Sequence, residues 1–513
     1  MGSFNRAVLQ CLHFLDRHSR VAAILLVLIA SVRVALTWNV FNATTDEAAH
    51  IACGMEWLDR GTYSLEPQHP PLARVVVALG PYLLGGKSPG GLDLIVEGKN
   101  VLMAGGRLKS NLLLARAAIL PLFWIACIVV FLWARRLIGP AGGVLALALF
   151  TQVPAVLGQA GLATTDMALT SMLGAAVLAA IVWAERPSLW TSLVFGVTGG
   201  LAVLSKFSSF PFFVAAIVPI AVWQRARPTA RHLRLLGIAA AIATFVTWAF
   251  YRFSVEPFFS GLTMIRRHNS VGHVAYLWGA WNEGGFWNYY LVNFSVKTPL
   301  AYIALLLAGI VPCVIAGRRD VKVAQPLLFS LGILVCAMAF GRINIGLRHI
   351  LPVYIGFSIV AASGLMWLLQ RRYGVFAGAG LFLWLLVTTS VAHPDYLAYF
   401  NELAGDKPER ILIDSDLDWG QDMKRLALRL RDLHVEEINY LPSVYPEWSE
   451  VPLPTMHALD IEHPSRGWHA ANITTLMLRE RDLHMKFPNA HFWPEVMEPT
   501  ERVGKGILLW QLP

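Results

Sequence analysis

The feature that most constrains this chain is a succession of apolar runs, each long enough to cross a bilayer and several of them separated by arginine-rich breaks. A span needs about 20 apolar residues at a rise of 1.5 Å to cross roughly 30 Å of hydrocarbon. Runs of that kind fall at 21–40, 117–134, 140–157, 164–184 and 190–204, and again at 209–223, 234–252, 299–316, 325–341, 349–369 and 374–392. The expected fold class is therefore a polytopic α-helical membrane protein of about eleven transmembrane helices. With 56% hydrophobic and only 15% charged residues, 513 residues do not describe one soluble globule.

Orientation follows from Lys and Arg, which collect in cytoplasmic loops. Arg6, Arg17 and Arg20 precede the first run, Arg135 and Arg136 follow the second, and Arg225, Arg227, Arg231 and Arg234 form a group. Arg318, Arg319 and Lys322 form another, and Arg371 and Arg372 the last. All lie on one side if the count holds, which predicts a cytoplasmic N-terminus, an extracytoplasmic C-terminus and a place in the plasma (cytoplasmic, inner) membrane. Loops 41–116 and 253–298, the turns before Asp166 and at 342–348, and everything after 393 then share the outer face. The +9 net charge is topogenic on this reading, and no nucleic-acid partner is expected. The first run lacks a small-residue cleavage site and reads as a retained span. Among five cysteines only Cys53 faces out, so no outer disulfide is expected.

The division expected is a transmembrane domain at 1–392 with outer loops 41–116 and 253–298, and an extracytoplasmic domain at 393–513. In the latter Arg410–Ile413, Glu437–Tyr440 and Gly506–Trp510 read as strands and Gln421–Leu433 as an amphipathic helix, an α/β pattern. The aromatic stretch from Tyr276 to Tyr290 reads as an interfacial segment, either a plain aromatic belt or a lipid-carrier groove. His393–Glu402 reads as the segment docking the tail onto the membrane part.

Chemistry gathers on the expected outer face. Asp46 and Glu47 follow the first span, and His69-Pro70-Pro71-Leu72 comes later in the same loop. Asp166 lies in Thr164-Thr165-Asp166-Met167, Lys206 in Leu204-Ser205-Lys206-Phe207, and Lys297-Thr298-Pro299 and Arg348-His349-Ile350-Leu351-Pro352 complete the set. In layout over residues 21–400 and in these motifs, the chain resembles the C-type integral-membrane glycosyltransferases, above all the protein O-mannosyltransferases and the bacterial aminoarabinose transferases of lipid A. The resemblance implies a sugar donor on a polyprenyl or dolichyl phosphate, a catalytic Asp in the first loop, and inverting attack by a hydroxyl of a protein, lipid or glycan acceptor. His69 stands where the lipid A enzymes usually carry Lys, which leaves the acceptor open.

A sugar joined through C1 to a lipid phosphate already has a good leaving group, so one positioned base and a few cations suffice. Asp46 is the expected base, with Glu47 and Asp166 orienting acceptor or base. Each has a plainer alternative: Thr44-x-x-Glu47 is a capping box on a helix that Gly61 ends, and Thr164 to Asp166 could cap the next span. For the carrier phosphate the candidates are His69, Arg74, Lys206, Lys297, Arg348 and His349, against snorkelling for Lys206, interfacial anchoring for Arg348 and His349, a turn role for His69 and pairing with Glu66 for Arg74. The acidic run Asp414 to Asp422 opens like a calcium loop, but Trp419 and Arg425 stand where glycine and glutamate belong. A strand-to-helix capping loop is the expectation there, with no required cofactor and a divalent cation as the open alternative. Two other functions remain: a lipid or sugar-lipid transporter, or a non-catalytic assembly protein. The first would place ionisable groups at the midplane of paired repeats.

Overall fold

The computed structural model describes residues 3–91, 93–225, 228–318, 320–445 and 448–513; Arg227 and Arg319 of the basic groups lie outside these. Among the described residues seven helical stretches are long and apolar enough to cross a membrane: Gln10–Thr37, Leu108–Phe150, Asp166–Glu185, Ala230–Phe250, Leu300–Gly317, Val321–Phe340 and Gly374–Val391. Shorter apolar helices are Pro71–Leu83, Leu189–Ser205, Ser209–Trp223 and Val353–Leu369. The run Leu120–Phe150 is a hairpin: Gly139 sits at φ 82°, and a Cβ on Gly143 would lie 3.0 Å from the Phe131 carbonyl oxygen. Only glycine takes that φ without strain, and Pro140 then starts the returning arm with a preset φ.

Several basic loops meet at one end of the bundle. Glu185 pairs with Arg136 and, at 3.4 Å, with Lys322, while Arg231 Nη2 donates to the Pro187 carbonyl at 3.0 Å. Asp16 near the start of the first helix accepts from the Ala141 N–H at 2.8 Å, which brings that helix start to the same hairpin turn.

The segment expected as an outer loop, 41–116, is largely helical. It holds Thr45–Met55, a π-turn at Glu56–Arg60 ended by Gly61 at φ 72°, then Pro71–Leu83, Leu94–Met103 and Leu108–Ala117. These helices run 11, 13, 10 and 10 residues, too short for a full membrane crossing, and Thr45–Met55 is buried over most of its length. Segment 253–298 carries the helix Glu256–Val271, the hairpin β1 (Ala275–Leu277) and β2 (Ala280–Asn282), and the helix Tyr289–Lys297. Tyr276 faces Trp281 across that hairpin with ring centroids 4.9 Å apart, a favourable cross-strand aromatic pair.

The C-terminal part is built on a five-stranded sheet of β3 (Glu437–Leu441), β4 (Thr455–Ala458), β5 (Gly467–Asn472), β6 (Glu501–Val503) and β7 (Ile507–Leu512). The order is β4-β3-β5-β7-β6, with β3 parallel to β4 and β5 and the remaining pairs antiparallel. Helices Met423–Asp432 and Ile473–Lys486 accompany it. The strand expected at Arg410–Ile413 does not form. Pro408–Arg410 is a 3₁₀ turn, and the Ile411 carbonyl accepts from the Trp278 N–H at 3.1 Å, so this segment pairs with the hairpin turn and joins no ladder.

Tail and bundle are sewn together around the acidic run. Asn42 Nδ2 donates to the Gly420 carbonyl at 2.7 Å, the Thr45 N–H to Trp419 O at 3.2 Å, and the Lys424 N–H to Asn42 Oδ1 at 3.1 Å. Asn401 accepts no less a role upstream, donating to the carbonyls of Ser295 (2.6 Å) and Thr298 (2.7 Å).

Candidate active site

The helix Thr45–Met55 carries Asp46 and Glu47 in its first turn, and the fold sends them to different places. Glu47 is wholly buried. Arg116 grips both its oxygens at 2.8 Å, the Ala163 N–H donates at 2.9 Å and the Thr44 N–H at 2.8 Å, the last being the capping contact. Burial alone would raise its carboxyl, but the Arg116 guanidinium and these donors hold it below the usual carboxylate range. Both its oxygens are occupied, so Glu47 ties the first loop to the turn before Asp166 and does not face the cleft.

Asp46 keeps a side chain 36% exposed and accepts from Arg348 Nη1 at 2.9 Å. The same nitrogen lies 3.9 Å from Asp166 Oδ2, and Asp166 Oδ1 receives Lys206 Nζ at 2.7 Å. Two carboxylates and two cations from four separate elements thus form one connected cluster. Asp166 opens the helix Asp166–Glu185 yet is 1% exposed, and Lys206 breaks off the helix Leu189–Ser205 in extended conformation, so both point inward where a cap or a snorkelling chain would point outward. Arg348 stacks 4.0 Å over the ring of buried Trp419, which fixes its plane. Asp166 Oδ2 and Arg348 Nε have no hydrogen-bond partner although buried, an arrangement that costs about 1–3 kcal/mol per group unless a ligand or water completes it.

Beside this cluster opens a cavity of about 540 Å³. Lys206, His69, Gln68 and His349 line its polar end; Phe207, Phe210, Phe258, Leu262 and Phe340 line the remainder, with Arg266 and Asn269 also on the wall. An apolar cavity of about 470 Å³ adjoins it, sharing Val203 and Phe258. Burial, joined by Lys206 and Arg348, pushes the His349 imidazole well below its ordinary value, and burial with Arg74 lowers His69 against the pull of Glu66. Both rings are neutral near pH 7 and offer hydrogen bonds without added charge.

Arg74 stands one layer behind. It pairs with Glu66, donates through Nε to His50 Nδ1 at 3.2 Å and contacts His69 Nδ1 at 3.3 Å, so it positions the histidines. Lys297 lies elsewhere, donating to the carbonyls of Leu397 (2.7 Å) and Asp416 and resting 4.2 Å over the Phe400 ring. Burial pulls its pKa down to about 8. It supports the tail's docking loop and does not reach the cavity.

Three of the four carboxylates of the acidic run, those of Asp416, Asp418 and Asp422, each face a different partner. Asp416 Oδ1 accepts from the Leu347 N–H at 3.0 Å, Asp418 Oδ1 from the Gly420 N–H at 3.0 Å, and Asp422 Oδ2 from the N–H groups of Lys505 and Gly506. They are internal caps, and among the described residues no group of three or more His, Cys, Asp or Glu is placed to hold a metal. Tyr290, whose hydroxyl meets His349 Nδ1 at 3.3 Å, and Trp419 were not singled out in the sequence. Trp419 registered there only as a misfit to the calcium loop, and nothing in a run of aromatics marks Tyr290.

Residues 110–251 match the family described as dolichyl-phosphate-mannose-protein mannosyltransferase. Two crystal structures of ArnT from Cupriavidus metallidurans share the fold: one bound to undecaprenyl phosphate, at TM-score 0.52 and 15% identity, and one in the apo state, at 0.54 and 14%. In both comparisons 95% of this chain aligns with 97% of the other. No curated protein gives a significant match. The chain shares the fold of these ArnT structures, and the family match covers residues 110–251 of it.

Proposed function

We propose that this chain, with its C-type glycosyltransferase fold, moves a sugar from a polyprenyl phosphate to an acceptor hydroxyl on the outer face of the cytoplasmic (inner) membrane, with inversion at C1. The observation that carries this reading is a largely apolar cavity lined by Lys206, which Asp166 and Arg348 connect to the partly exposed carboxylate of Asp46. Phenylalanines and aliphatic chains suit a polyprenyl tail, and Lys206 with the neutral His69 and His349 suits its phosphate. The match to a dolichyl-phosphate-dependent family and the undecaprenyl phosphate held by ArnT support the same carrier chemistry.

In the reaction the acceptor oxygen attacks C1 as its proton passes to Asp46. The C1–oxygen bond to phosphate breaks, and its electron pair leaves on the phosphate, where Lys206 and Arg348 offset the charge. Asp46, Asp166, Lys206 and Arg348 sum to zero formal charge before substrate enters (−1 −1 +1 +1). A bound phosphate therefore competes with both carboxylates for the cations, which loosens Arg348 from Asp46 and frees that carboxylate to take the acceptor's proton. Asp166 holds Lys206 and Arg348 in place. Convergence of the basic loops at one end of the bundle supports a cytoplasmic N-terminus, with 1–392 as the transfer unit and 393–513 as an extracytoplasmic domain.

The test is transfer from radiolabelled polyprenyl-phosphate sugars by protein in nanodiscs, with a membrane extract as acceptor. Wild type moves label, and Asp46→Asn loses roughly 10²- to 10⁴-fold in rate while still binding donor. Full transfer by the variant would remove Asp46 from the role of base.

A further inference from the structure

Two openings, not one, flank the 342–349 segment that carries Arg348, the partner of Asp46. The wall between them is made of neighbouring residues that face opposite ways. Tyr290, Ile343 and His349 line the lipid-sized cavity, whereas Tyr289 and Asn344 line a second, polar cleft of about 40 Å³. The two tyrosine rings stand perpendicular, with centroids 5.3 Å apart. His273, Tyr276 and Trp281 complete the membrane side of this cleft, and Asp414 and Thr474 come from the C-terminal part. Its groups sit within electrostatic reach of the reacting pair, since Arg348 and Asp46 both act on Asp414 and on His273. Arg348 is 7% exposed, and its unpartnered Nε leaves a donor unspent at this junction.

Deepening the transferase reading above, on which it rests, we infer that this cleft is the acceptor subsite and that Asp414 is its specificity-determining residue, accepting a hydrogen bond from a neutral, hydroxyl-bearing acceptor group beside the attacked centre. Single displacement brings the acceptor to C1 from the side opposite the leaving phosphate, and this cleft lies across Tyr289 and Tyr290 from the cavity given to the carrier. The cleft has room for a hydroxyl and the carbon that carries it, not for a whole sugar ring. Asp46, Asp414 and Asp416 together repel an anionic substituent there. The nucleophile's proton still goes to Asp46; Asp414 accepts a hydrogen bond and takes no proton.

Asp414 is built to face this way. It holds φ at 61°, a left-handed conformation that Asp and Asn tolerate better than other side chains. Its N–H donates to Thr474 Oγ1 at 3.0 Å, its Oδ1 accepts from the Ser415 N–H at 2.5 Å, and Ser415 Oγ donates to the Ile345 carbonyl, so the turn is clamped to the 342–348 segment that presents Arg348. The groups acting on its carboxyl are Arg348, Asp46 and Asp416, with His273, Tyr289 and Thr474 on the same cleft. Burial, partly opposed by Arg348, pushes its pKa up to about 6. The ionised form is the stronger hydrogen-bond acceptor, so transfer at limiting acceptor rises as pH climbs through about 6.

The test compares wild type, Asp414→Asn and Asp414→Glu in nanodiscs, using labelled polyprenyl-phosphate sugar and a dilution series of membrane extract. Asn keeps the left-handed backbone and an oxygen for Ser415, so a melting temperature close to wild type is expected. Transfer by Asp414→Asn at limiting extract falls about 10-fold or more, as for the loss of a charged hydrogen bond, with the half-saturating amount of extract raised and that of donor unchanged. Its profile loses the limb near pH 6, and Asp414→Glu restores that limb. Unchanged extract dependence, or a limb kept in the Asn variant, would overturn the assignment while leaving the transferase reading intact. A wild type inert with every donor would overturn both.

Discussion

Asp46 and Glu47 are neighbours in sequence, in the same turn of the same helix, and differ in almost everything that decides a carboxylate's work. Glu47 is fully buried and spends both oxygens on Arg116 and on backbone N–H groups. Asp46 is 36% exposed and has one ion-pair partner, itself shared with Asp166. A helix turns about 100° per residue, so adjacent side chains look into different surroundings. The saturated acid fixes the first loop against the turn that presents Asp166, and the unsaturated one is left for chemistry.

That contrast can be broken by experiment. The largest effect belongs to Asp46→Asn, expected to cost roughly 10²- to 10⁴-fold in transfer with the melting temperature little changed. Next comes Glu47→Gln, which strands the buried Arg116 charge and should destabilise by about 3–5 kcal/mol, while the activity per folded molecule survives. Thermal melting beside active-site-normalised turnover separates the two, and a stable but inactive Glu47→Gln would reverse their assignments. Lys206→Met removes one charge-assisted contact, so the half-saturating donor concentration should rise about 10- to 100-fold, with a smaller change in the acceptor's. The smallest effect is in pH stability at Glu66, where burial is outweighed by Arg74 and His69 and the pKa is held down at about 2. A depressed carboxyl stabilises the fold above its unfolded value near 4.5 and loses that contribution as pH falls through about 2. Melting temperature should therefore drop over that interval, and Glu66→Gln should flatten the drop.

How much was legible differs between regions. The apolar helices were, because a bilayer demands long runs and twenty successive side chains repeat the signal. The capping contact of Thr44 with Glu47 was visible as a pattern, and so was Gly61 as the stop. The helices of 41–116 were hidden by their brevity, and the strands β4, β5 and β6 by short segments whose pairing depends on distant partners. Lys206 stood out as a charge among apolar residues. Lys297 stood out equally and turned out to brace the docking loop, because a sequence does not reveal which way a lysine is aimed.

By itself, then, the sequence determined a helical membrane protein with acids and cations collected in the breaks between apolar runs. Those features depend on local composition and on the cost of placing charge in hydrocarbon. Tertiary structure alone decided that Asp46, Asp166, Lys206 and Arg348 meet, that Arg116 silences Glu47, and that a loop from the C-terminal part lies against the site. Burial and the identity of each charged partner are long-range quantities, set by segments up to about three hundred residues apart, and no local pattern encodes them.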